Sequence, residues 1–77
     1  MSNQQKTGAP DTTYDLVSII YHALQGAEIY SKFVEDAVQA KDSELESFFR
    51  KVQEEEREIA RGAKDLLKKR LGQEKNP

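Results

Sequence analysis

The chain has 77 residues, with 12 basic and 14 acidic side chains and no cysteine. That length limits it to one thin domain, which chains of this size usually reinforce with disulfides, a metal or self-association. Without thiols, disulfides and thiolate metal sites are excluded, so helix packing, association, or oxygen and nitrogen ligands remain. A net charge of −2 with both signs interspersed argues against a nucleic-acid partner, which would call for a basic excess on one face. No apolar run approaches the ~18 residues of a bilayer span, and no basic-then-apolar leader opens the chain. A cytoplasmic protein is therefore expected.

Residues 1–12 are polar and carry Gly8 and Pro10 without periodicity, the pattern of a flexible tail. Thr12 with Asp15 three positions on resembles a capping box and predicts a helix start. Apolar residues then recur at Val17, Ile20, Leu24, Ala27, Val34 and Val38, which predicts a helix over 13–40 with one buried face. Asp42 or Ser43 offers the next N-cap, and Ser43 with Glu46 repeats the capping-box spacing. The second helix, 43–71, carries Leu45, Phe49, Val52, Ile59, Ala63 and Leu66 in its stripe. Gly72 suits the left-handed residue that ends it, and 73–77 form a short tail. Acidic residues crowd the start of this helix. The only basic run, Lys68-Lys69-Arg70, lies near its end, as the helix dipole prefers. Glu46 with Arg50 is spaced for an ion pair on the wet face.

The fold class is thus all-α. A link of about three residues forces the two helices into an antiparallel hairpin over 13–72. Two such helices cover only part of each other's apolar surface. Phe33, Phe48, Phe49 and the aliphatic stripes would leave an uncovered seam longer than a monomer tolerates. Pairing with a second hairpin into a four-helix bundle closes it, so a homodimer at least is expected. Another protein's helices are the alternative occupant of that seam.

One position interrupts the second stripe: Glu56. Counted from a bend near Lys41, Glu28 on the first helix and Glu56 on the second lie at levels differing by only ~3 Å. Two-fold pairing would bring up to four carboxylates into one layer, an arrangement that di-metal carboxylate bundles use and that Fe²⁺ or Mn²⁺ accepts. Glu28 and Glu56 are the candidate metal ligands. The plainer reading leaves both at the stripe's edge, solvated or paired with Lys or Arg.

The stretch AEIYSKFVEDAVQAKDSELESFFRKVQEEEREIARGAKDLL, residues 27–67, resembles one half of a ferritin-like or rubrerythrin-like domain. The resemblance is carried by Glu28 followed by Tyr30 and Phe33, the short turn, the Phe48-Phe49 pair and the acidic patch after it. It implies a hairpin that dimerises into a four-helix bundle, and iron binding, ferroxidase or peroxide chemistry at a di-iron centre. Aligning the aromatic pair puts the glutamate of the family's E-x-x-H motif on Glu56 and its histidine on Ile59, which cannot ligate a metal. The functional expectation is therefore a structural or partner-binding role rather than an enzyme. The alternative is an iron-binding or ferroxidase-type protein using Glu28 and Glu56 of two subunits.

The remaining candidates have structural readings. His22, the single histidine, precedes Glu28 by six residues and lies about 120° from it around the helix, so the two form no ligand pair of their own. Tyr14, Tyr21 and Tyr30 are read as cover for the core or the dimer seam. Gly26 and Gly62 each cost about 1 kcal/mol inside a helix, which close helix approach would offset. One histidine assembles no convincing Ser-His-Asp set, and no glycine loop for phosphate is present.

Overall fold

The structure, a computed structural model, describes residues 10–74. It consists there of two helices, α1 (Thr12–Gln39) and α2 (Ser43–Glu74), packed side by side. Asp11 rather than Thr12 starts α1. Its carboxylate accepts from the Tyr14 amide at 2.9 Å, and its carbonyl takes the first helical bond, from the Asp15 amide. An aspartate is the stronger cap and sits one residue earlier, so it wins over the Thr12 pattern. At α2 the cap is Asp42, whose carboxylate accepts from the Leu45 amide at 3.0 Å.

The turn is a Schellman closure. The Asp42 amide donates to the Ala37 carbonyl and the Lys41 amide to the Val38 carbonyl, each at 3.0 Å, which satisfies carbonyls the helix end leaves open. Closure puts Lys41 at φ 58°, a left-handed conformation that costs a side-chain-bearing residue. At the far end α2 does not stop at Gly72 but continues to Glu74. Lys68-Lys69-Arg70 therefore lie ahead of the last turn, which holds no basic residue.

The helices meet along a line that follows the predicted stripes only in part: Ala27, Val34 and Ala63 are buried and Ile20, Phe49 and Val52 half-buried. Among the described residues, the buried apolar ones are Ala23, Ala27, Val34 and Ala37 of α1 and Ala60 and Ala63 of α2, and no large side chain is fully buried. Of the expected stripes, Val17, Leu24, Val38, Leu45, Ile59 and Leu66 are exposed. Alanine dominates the contact, joined by Val34 and Gln53, as small side chains allow helices to pack closely. The larger residues are pushed to the flanks.

Polar glue supplements this thin core. Buried Gln53 donates through Nε2 to the Ala27 carbonyl at 2.6 Å and to the Ser31 hydroxyl at 2.7 Å. Toward the turn, Tyr30, Phe33, Phe49 and Phe48 form a chain of ring contacts with centroids 5.3, 5.8 and 6.0 Å apart.

The body measures 56 × 27 × 13 Å. Its thickness is that of one helix with side chains, ~10–12 Å, where a domain ordinarily stacks two layers. Among the described residues, nothing therefore covers either broad face of the hairpin. No helix among the described residues is long and apolar enough to cross a membrane.

Candidate functional site: the apolar face and its central groove

The two broad faces differ in chemistry. At 100° per residue, positions seven apart return to nearly the same direction. On α2, Leu45, Val52, Ile59 and Leu66 form such a row, joined by Phe48 eleven residues before Ile59. On α1, Ile19, Gly26 and Phe33 form another. Ile19, Gly26, Tyr30, Glu56 and Ile59 line one groove, so both rows flank the same face. Phe48 and Ile59 are 57% and 50% exposed there, far more than their apolar surface warrants.

On the opposite face α1 also exposes apolar side chains, among them Val17, Leu24 and Tyr21. The α2 residues turned that way are charged. Arg50 meets Glu46 at 2.9 Å, and Arg61 meets both Glu54 and Glu58 at 3.0 Å. The hydrogen bonds it donates to the Glu54 and Glu58 carboxylates hold the Arg61 guanidinium above its ordinary pKa. Apart from half-buried Glu46 these groups are largely solvated, so the pairs add little to stability.

The groove in the middle of the apolar face has a volume of about 360 Å³ and is lined by Ser18, Ile19, His22, Gly26, Tyr30, Glu56 and other residues. Glu56 is half-buried and spans the face toward α1. A Cβ added at Gly26 would sit 3.8 Å from its carboxyl carbon. Gly26 thus makes room where a carboxylate crosses the seam, and its close approach is to a side chain rather than to backbone. Gly62 has nothing within 4 Å of the equivalent point, so no close approach within the hairpin accounts for it.

His22 stands one turn before Gly26. Its Nδ1 lies 2.9 Å from the Ser18 carbonyl oxygen and 3.3 Å from the Ser18 hydroxyl. Edge contact with Tyr21, with ring centroids 5.4 Å apart, also holds the imidazole.

Glu28, the other sequence-predicted ligand, is exposed and borders a separate pocket with Tyr21, Leu24 and Gln25. Gly26 and Glu28 lie 100° to either side of buried Ala27, so Glu56 and Glu28 occupy opposite flanks of the hairpin. Within one chain they are not brought together. No group of three or more metal-capable side chains forms among the described residues.

Sequence reasoning missed Gln53 and did not place His22 in one groove with Glu56, which it had singled out. Gln53 is embedded in the polar run VQEEE, where nothing marks one amide as buried. The signal available for the pair was that His22 and Gly26 are one turn apart on one flank, with Gly26 leaving space for a long side chain. Comparison with known protein families, characterised proteins and solved structures returns no match.

Proposed function

We propose that this chain is a self-pairing helical module, a ferritin-like hairpin that dimerises through its apolar face into a four-helix bundle and serves a structural or partner-binding role. One observation carries the reading: a hairpin one helix thick presents apolar rows from both helices on the same face. Rows of spacing seven are the pattern of left-handed bundle seams, in which side chains of one pair enter the gaps of the other. The alanine contact line supports the same conclusion. An alanine methyl contributes ~0.8 kcal/mol where a buried leucine or phenylalanine contributes ~1.5–3 kcal/mol, so the larger share of the available hydrophobic stabilisation lies on the uncovered face. The opposite face supports solvation, because α2 lines it with ion-paired charges.

Charge reversal separates the faces. Ile59→Glu should convert a dimer to a poorly folded monomer, whereas Val17→Glu on the other face should leave the dimer intact. Light scattering coupled to size exclusion reads both. Equal disruption by the two variants, or none by Ile59→Glu, would refute this choice of face.

A further inference from the structure

We infer that the central groove, doubled when two hairpins pair, is a binding site for a divalent transition-metal ion of borderline character such as Zn²⁺, held by His22 and Glu56 of both copies. The inference rests on the self-pairing proposed above. It begins with the state of His22. A carbonyl oxygen only accepts hydrogen bonds, so the 2.9 Å contact of Nδ1 with the Ser18 carbonyl favours the tautomer that carries the proton on Nδ1. In the neutral ring, Nε2 then keeps its lone pair. A histidine whose other nitrogen donates to a backbone carbonyl is the usual form of an imidazole metal ligand.

The second donor is Glu56. Among the described residues its carboxylate has no hydrogen-bond or ion-pair partner, although Arg50, Arg57, Arg61 and Lys32 all pair with other acids. It lies against Gly26, one turn from His22, and both side chains line the same groove. Nitrogen and oxygen donors are thus offered to one space, open on the side that a second copy would cover.

A single chain supplies two donors, too few for a closed site. The pairing of copies supplies the rest, and the position of the groove makes this insensitive to the direction of pairing. Gly26 is within one residue of the midpoint of α1 (Thr12–Gln39). A two-fold axis lying in the face, whether along or across the helices, brings the middle of the face against its own copy. Two imidazoles and two carboxylates then converge, a set of four that suits a tetrahedral divalent ion. A dication would also neutralise two like charges that the seam would otherwise press together. Glu28 is outside this set because it lies on the opposite flank.

The test is calorimetric titration with Zn²⁺, and Co²⁺ titration followed by its visible spectrum, on wild type, His22→Ala, Glu56→Gln and Glu28→Gln. Each protein's mass is measured by sedimentation with metal removed. The expected result is a metal-free dimer that binds one ion per pair with a tetrahedral Co²⁺ spectrum. His22→Ala and Glu56→Gln should each lower affinity by roughly 10–100-fold or more, and Glu28→Gln should have no effect. A dimer that binds no ion, or one whose binding survives both substitutions or depends on Glu28, overturns the site and leaves the pairing standing. A metal-free wild-type monomer overturns the pairing and the site with it.

Discussion

Gln53 is the residue on which the internal packing of the hairpin turns. Its Nε2 bonds to the Ala27 carbonyl and the Ser31 hydroxyl tie the two helices at mid-length inside a contact line otherwise made of methyl groups. Gln53→Ala should destabilise the protein by about 1–3 kcal/mol, the range for losing bonds made by a buried polar group, read as a lower urea midpoint. Gln53→Glu should cost more, because a carboxylate there would face a carbonyl oxygen with no proton to give. Lys41 offers the opposite case. At φ 58° it holds a backbone shape that glycine adopts without penalty. Lys41→Gly should therefore stabilise by about 0.5–1 kcal/mol, allowing for glycine's larger entropy loss on folding. A higher midpoint with unchanged slope would register it.

Among the elements, helix existence and pairing were legible in the sequence, because stripes of threes and fours and a three-residue link leave few alternatives. The Asp42 cap and the Glu46–Arg50 pair were legible for the same local reason. The contact line was legible only in part, through Ala27, Val34 and Ala63. Periodicity reports that residues avoid water, without saying whether the cover comes from the same chain or another. Alanine scores weakly on such a reading, and Ala23, Ala37 and Ala60, which no stripe included, share the inner line with Ala27, Val34 and Ala63. Leu24, Ile59 and Leu66, which dominate the pattern, stand outside it. The candidate site was half legible. Glu56 was marked by its intrusion into an apolar stripe, while its distance from Glu28 depended on which flank each helix turns inward, and that is decided by the alanines. Gly62 tests the remaining surface of α2. With open space around it, Gly62→Ala should add about 0.8–1 kcal/mol through helix propensity alone. Loss of stability or of pairing in that variant would place Gly62 inside the seam.

For the molecule as a whole, shape and chemistry point the same way. A layer 13 Å thick carries apolar rows from both helices on one face, whereas on the other α2 contributes ion-paired charges, so the first is the side better suited to a second layer. If folding and pairing are one event, thermal stability must depend on protein concentration, since mass action favours the paired state. A melting temperature that rises steadily over a hundredfold increase in concentration is the expected behaviour. Added salt should change it little, because the exposed ion pairs contribute little and the seam is apolar.

The central claim is that the uncovered face is closed by a second copy. Sedimentation equilibrium of the full chain at micromolar concentration, free of metal, tests it most directly. A helical species of twice the chain mass is the predicted result. A helical, cooperatively melting species of single-chain mass across that range would contradict it.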